Sequence, residues 1–207
     1  MKHQLLKFTT ILTLGLSAIA VTPSQAAKAS DQTLKNLNKA FEGESNAAKR
    51  YAIFAKKADA EGYSQVAKLF RAASAAEAIH RDIHKAAIIE LGGTPATFQL
   101  EAVTPASTEE NLKAAIQGET YERDTMYPEF LALAKAEDAR AAIRTLEFAL
   151  AAEKEHAKLY TEALSTLGKN AQADYYVCKV CGMTLTELPA KKCPSCRKSK
   201  DEYQQIL

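Results

Sequence analysis

Glu77-Ala78-Ile79-His80 and Glu153-Lys154-Glu155-His156 are two copies of Glu-x-x-His. On a helix, side chains three apart share a face, so each copy can aim one carboxylate and one imidazole at a common point. Each copy trails a Gly-Glu-Ser/Thr triplet, Gly43-Glu44-Ser45 or Gly118-Glu119-Thr120, with 33 positions from Glu44 to Glu77 and 34 from Glu119 to Glu153. The chain therefore contains an internal repeat whose repeated parts are metal-ligand types. Two Glu-x-x-His helices and one Glu from each of two further helices are the donor set of a di-iron or di-manganese carboxylate centre. Carboxylates can bridge two metals while imidazoles terminate them. A single Glu-x-x-His is an ordinary surface pattern on an alanine-rich helix. Two in register with two partner glutamates are what a binuclear site requires.

Glu122 breaks the symmetry, because the position three after Glu119 is acidic whereas the position three after Glu44 is Ala47. Read from the residues alone, it is either a solvated acid or a seventh ligand that makes the two metals inequivalent. Tyr51 and Tyr127 stand seven and eight positions after Glu44 and Glu119, two helical turns on. His84, one turn past His80, reads as an exposed surface histidine, and Glu155 points off the Glu153/His156 face.

All four cysteines, Cys178, Cys181, Cys193 and Cys196, form two Cys-x-x-Cys pairs near the C-terminus. Pairs this close read as a four-thiolate site that suits iron or zinc. Two disulfides are the alternative for a chain bound for an oxidising compartment.

The elements that must carry these residues are helical. One helix is expected from about Asp31 to Gly62, a second from Ser64 to Gly92-Gly93, a third from Ser107 or Thr108 to about Lys135, and a fourth from Asp138 to Gly168. Ser or Asp oxygens cap the starts, and glycine supplies left-handed stops. Ser107 and Glu110 are spaced as a capping box. Pro128 falls inside the third helix and should kink it or open its hydrogen-bond ladder. Residues 93–106, with two prolines and no helical period, suit a crossover running the height of a bundle. The expected class is all-α: a ferritin-like four-helix bundle over 30–168 with one long crossover, a polar linker at 169–175, and a small cysteine module at 176–207.

Lys2 and Lys7 flank an apolar stretch from about Phe8 to Val21, followed by Ser24-Gln25-Ala26, the plan of a secretory signal peptide over 1–26. No twin-arginine pair precedes it, so a Sec-type signal and a periplasmic or otherwise extracytoplasmic destination are expected. The whole chain has 27 Lys+Arg and 25 Asp+Glu; the segment 1–26 holds two lysines and no acids, leaving 25 of each. Such balance, with no basic face, argues against nucleic acid or an anionic membrane surface as a partner, and no second apolar run follows the signal.

Over essentially all of 30–207 the sequence resembles rubrerythrin. The features that carry the likeness are Gly43-Glu44-Ser45, Arg50-Tyr51, Glu77-x-x-His80, Gly118-Glu119-x-x-Glu122, Glu153-x-x-His156, Cys178-x-x-Cys181-Gly182 and Cys193-Pro194-x-Cys196. Glu122 distinguishes this family from ferritins and bacterioferritins. The resemblance implies a non-haem di-iron peroxidase that reduces hydrogen peroxide to water. Its two bundle irons would be held by Glu44, Glu77, His80, Glu119, Glu122, Glu153 and His156. A rubredoxin-like iron on the four cysteines would relay electrons from a donor protein. It also implies that His80 and Glu122 exchange on one iron as its oxidation state changes, that Tyr51 and Tyr127 bond ligand carboxylates, and that a homodimer brings one subunit's cysteine module near the other's bundle. Arg197 stands where the second knuckle would carry the counterpart of Gly182, a departure expected to weaken that knuckle or change its potential. A ferritin-like iron-oxidising or iron-binding protein with a structural zinc module is the alternative reading, and pure electron transfer a third.

Overall fold

The computed structural model describes residues 29–207, so the expected signal segment lies outside the described residues. Two helices, α1 (Asp31–Ala60) and α2 (Ser64–Glu90), form one hairpin. A third rod is built from α3 (Thr108–Tyr121), a π-helical turn (Glu122–Met126) and α4 (Tyr127–Ala136), and α5 (Arg140–Ser165) returns beside it. The Ser30 hydroxyl caps α1 by accepting from Thr33 N at 3.2 Å, and Ser107 and Glu110 form the expected capping box. The last helix begins at Arg140, two residues later than expected, because Asp138 ends α4 instead of opening α5. It takes a left-handed φ of 49°, and Ala139 N donates to Ala134 O at 2.9 Å. Asp138 thus does for α4 what Gly62 (φ 83°) does for α1.

The crossover behaves as a strap along α1. Asn38 Oδ1 accepts from Ala96 N at 2.6 Å, Asn46 Oδ1 accepts from Glu101 N at 3.0 Å, and Glu61 Oε2 accepts from Thr108 N at 2.8 Å. These anchors climb α1 in order, so the strap spans the bundle and delivers α3 to the far end.

The apolar core is divided in two. One cluster holds Tyr51, Phe54, Phe70, Leu112 and Tyr160, and the other holds Leu37, Phe41, Ile88, Phe130 and Leu146. Glu44, Glu77, Glu119 and Glu153 fall between these sets along their own helices, so a polar layer crosses the bundle at mid-height.

The C-terminal module is a three-stranded antiparallel sheet of β1 (Tyr175–Cys178), β2 (Thr184–Leu185) and β3 (Tyr203–Ile206), in the order β2-β1-β3. It is packed on the bundle: Tyr175 and Val177 of β1 join the same apolar cluster as Tyr51 and Phe70. Among the described residues no helix is long and apolar enough to cross a membrane.

Candidate metal centres

Six of the seven expected bundle ligands converge at the polar layer. Glu44, Glu77, His80 and Glu153 form one group, and Glu77, Glu119, Glu153 and His156 form a second, each with its ligand atoms within 4.8 Å of one another. Glu77 and Glu153 belong to both groups. The geometry is therefore two adjacent four-donor sites with two shared carboxylates, each closed by one private carboxylate and one imidazole. All six residues are at most 1 % exposed.

Both imidazoles turn Nδ1 inward. His80 Nδ1 lies 2.8 Å from Glu77 Oε2 and 3.3 Å from Glu153 Oε1. His156 Nδ1 lies 3.0 Å from Glu77 Oε1 and 3.0 Å from Glu153 Oε2. Burial and the neighbouring Glu122, Glu77 and Glu153 carboxylates push the Glu44 carboxyl well above the usual range; burial, Glu77 and Glu119 do the same to Glu153. Burial also works to raise Glu77, but the charge and hydrogen bonds of His156 and His80 overcome it and hold that group at about 2. Among the described residues Glu44 Oε2 and Glu119 Oε2 are buried with no hydrogen-bond partner, and Glu77 Oε1 and Glu153 Oε1 have only an imidazole Nδ1 beside them. So many inward oxygens and two inward nitrogens in a dry layer are costly on their own and fit a pair of cations.

The remaining oxygens are held by phenols. Tyr51 donates to Glu119 Oε1 at 2.5 Å, and Tyr127 donates to Glu44 Oε1. Burial and the adjacent carboxylates raise both tyrosines far above their ordinary range, so they stay protonated donors. The π-helical turn explains why Tyr127 follows Glu119 by eight positions while Tyr51 follows Glu44 by seven. Eight α-helical positions would rotate Tyr127 by about 80° off the ligand face; the wider turn absorbs one residue and restores it. Pro128, which cannot donate to the ladder, sits directly after this turn, so the expected opening of the ladder falls at Glu122–Met126.

Glu122 lies outside both close groups. It opens the π-helical turn, is half-buried, and has its carboxylate beside Gly43. Burial, then Glu119, Glu153 and Glu77, raise its carboxyl well above the usual range.

His84 departs from its expected exposed position: it is fully buried, with Nε2 3.2 Å from the Tyr127 hydroxyl and Nδ1 3.1 Å from Thr145 Oγ1. It falls four after His80, on the face that α2 turns to the core. Glu155 stays off the site and bonds Lys158 at 3.2 Å.

The cysteines gather in a separate site. Cys178 and Cys196 sulfurs are 3.7 Å apart, and those of Cys181 and Cys193 are 3.6 Å apart. A disulfide needs about 2.05 Å, so the disulfide alternative does not hold and all four thiols are free. Sulfurs placed about 2.3 Å from one tetrahedral ion stand about 3.8 Å apart, which the spacing fits. The two knuckles are near copies. Gly182 N donates to Cys178 O at 2.9 Å and Arg197 N to Cys193 O at 3.1 Å, and φ is 74° at Gly182 and 63° at Arg197. Arg197 thus makes the same turn, at a cost of about 1 kcal/mol for a left-handed side-chain residue.

The two sites touch. His80 Nε2 lies 3.1 Å from the Cys181 carbonyl, and His156 Nε2 lies 2.9 Å from Thr184 Oγ1. An Nε2–H donor on each ring leaves Nδ1 bare for a metal, the usual way an outer hydrogen bond sets a ligand histidine's tautomer. The resemblance led to the expectation of a partner subunit's module at this place; here the chain's own module occupies it. Nothing in local spacing marks Thr184 or the Cys181 carbonyl, since each meets its histidine across a long sequence separation.

The rubrerythrin family profile matches residues 35–164. The chain belongs to the rubrerythrin family. Nigerythrin from Nitratidesulfovibrio vulgaris is 34 % identical over 171 residues, covering 83 % of this chain and 85 % of that protein. Rubrerythrin-2 from Clostridium acetobutylicum is 33 % identical over 171 residues, covering 81 % and 93 %. The solved structure of nigerythrin in a mixed-valence state superposes with a TM-score of 0.76 at 29 % identity, covering 94 % of this chain and all of that one. With the family established, the bundle centre is a di-iron site with carboxylate and histidine ligands, and the cysteines form a rubredoxin-like site for iron or zinc.

Proposed function

We propose that this rubrerythrin-family protein is an exported peroxidase that reduces hydrogen peroxide to water at the bundle centre, with electrons relayed by iron on the four cysteines. The observation that carries this reading is the hydrogen bond between His80 Nε2 and the Cys181 carbonyl, 3.1 Å long. It joins a residue of the thiolate site to a residue of the bundle site across one non-covalent step, as a one-electron relay needs and a purely structural module does not.

Reduction of one peroxide to two waters consumes two electrons and two protons; ferrous ions held by the bundle carboxylates and imidazoles would supply the electrons, one each. The chain's own residues do the rest. Glu77 and Glu153 hold the two halves together. Tyr51 and Tyr127 keep protonated hydroxyls on Glu119 and Glu44 and fix which oxygen of each faces inward. The apolar clusters on both sides keep water from the layer. Glu122, beside Gly43 and outside the close group, would alternate with His80 as a ligand in the Glu44 half. Tyr51, Tyr127, His80 and Glu122 are the residues assigned catalytic roles, and Glu44, Glu77, His80, Glu119, Glu122, Glu153 and His156 the iron ligands.

The signal plan of residues 1–26 supports a Sec-type route to the periplasm or another extracytoplasmic space. There the electron donor is another protein, because cytosolic pyridine nucleotides are out of reach. The family resemblance implies a homodimer, in which each chain's own module serves its own bundle. The test compares protein with iron in both sites against protein with zinc on the cysteines. Peroxide should oxidise two bundle irons per molecule in both, and sustained turnover with a protein donor should require cysteine-bound iron. Equal turnover in the two forms would make the module structural and favour the ferritin-like, iron-handling alternative.

A further inference from the structure

The internal repeat has diverged behind the two tyrosines. Four positions after His80 stands His84; four after His156 stands Tyr160. Eight before Glu153 stands Thr145; eight before Glu77 stands Leu69. The Glu119 half therefore ends in an aromatic packing, with the Tyr160 ring 5.5 Å from Tyr51 and its hydroxyl unpartnered. The Glu44 half ends instead in a polar chain of Tyr127, His84 and Thr145.

The direction of that chain follows from counting protons. Tyr127 has one O–H, and it donates to Glu44 Oε1. The 3.2 Å contact with His84 Nε2 must then run from Nε2–H to the phenol oxygen. A neutral ring that spends its one proton on Nε2 leaves Nδ1 bare. The Thr145 hydroxyl, 3.1 Å away, donates to it. All three donors point toward Glu44. The ring of His84 also stacks on Tyr127, with centroids 6.0 Å apart and planes at 25°, which holds the phenol in place.

We propose that His84, set in one tautomer by Thr145, is a positioning residue that locks the Tyr127 hydroxyl on Glu44 Oε1 and so turns Glu44 Oε2 toward the metal of the Glu44/His80 half. Glu44 Oε2 is the oxygen left buried and unpartnered. Among the described residues the Glu119 half has no equivalent lock, so the two halves differ in affinity for reasons independent of Glu122.

The test is cobalt(II) titration of the metal-free full chain, the cysteines first filled with zinc, read by calorimetry and by the visible absorption of bound cobalt. The parent should show two bundle steps. His84→Leu should weaken by about 10- to 100-fold the step that Glu44→Gln removes, leaving the other unchanged. His84→Gln, whose amide can donate to Tyr127, should restore it to within about threefold, roughly half the tenfold step in free energy. Thr145→Val frees the imidazole to take its other tautomer and pull the Tyr127 proton from Glu44, so it should weaken the same step. Tyr160→Phe should move neither. Equal weakening of both steps, no weakening in His84→Leu, or failure of His84→Gln to restore would overturn the assignment. A single step in the parent would overturn the binuclear reading on which it rests.

Discussion

Gly182 is the residue on which contact between the two metal sites turns. Its φ is 74°, and a Cβ built there would run into the His80 ring and stand 3.1 Å from the Ala76 carbonyl. Neither obstacle is the tip of a flexible surface chain, so Gly182→Ala must lift the module from the bundle. The lost His80–Cys181 and His156–Thr184 bonds cost about 1 kcal/mol each, whereas the cost of about 1 kcal/mol for the left-handed alanine falls on the knuckle whether it is docked or not. Docking is therefore weakened by about 2 kcal/mol, or about 30-fold. The assay is a single-mixing experiment on fully reduced protein: peroxide is added, and the return of the ferric tetrathiolate absorption reports electrons leaving the module. Bundle oxidation should proceed at the parent rate while module oxidation slows by at least tenfold. Arg197→Gly is the matched control: it relaxes the equivalent turn in the exposed knuckle and should leave electron transfer unchanged. Parent-like module oxidation in Gly182→Ala, with iron in both sites, would refute the idea that docking through Gly182 carries the relay.

Because Glu77 and Glu153 are shared by both donor groups and Glu44 and Glu119 are private, Glu77→Ala should lose both bundle irons and Glu44→Ala one, as counted by elemental analysis after reconstitution. Glu122→Ala should keep two bundle irons, since six donors remain, but slow peroxide turnover about tenfold or more in steady-state assays; a parent-like rate would remove Glu122 from the mechanism. Hydrogen bonds from Thr108, then Lys57, hold Glu61 at about 2. A depressed carboxyl contributes stability above its unfolded value of about 4.3, and that contribution is lost as pH falls toward the folded value. The difference in Tm between parent and Glu61→Gln should therefore be largest above pH ~5 and shrink as pH is lowered through 4 toward 2.

The bundle donors were legible because helices impose a three-residue period on ligands, and because the repeat presented the same pattern twice. The capping box at Ser107 and the crossover at 93–106 were legible from local chemistry alone. The π-helical turn was also written in the sequence, as the one-residue excess in both the Glu119-to-Tyr127 and Glu119-to-Glu153 spacings, though its meaning needs the rotation angle per residue. His84 was misplaced on the surface because histidine frequency says little about one position; the core face of α2 decided it. The seating of the module on His80 and His156 was not legible, since it joins Cys181 and Thr184 to residues far away in sequence, and no periodicity encodes that pairing. Arg197, expected to weaken its knuckle or change its potential, keeps the turn with an exposed side chain, whereas Gly182 faces a histidine.

The polar layer between the two apolar clusters has a consequence for how the chain assembles. Each cluster draws on all four rods, and the helices pass from one to the other through a layer where carboxylates take the place of apolar packing. Cations at the belt would tie the four rods together at mid-height, so metal capture should also slow amide exchange around the layer and raise Tm by binding the folded state alone.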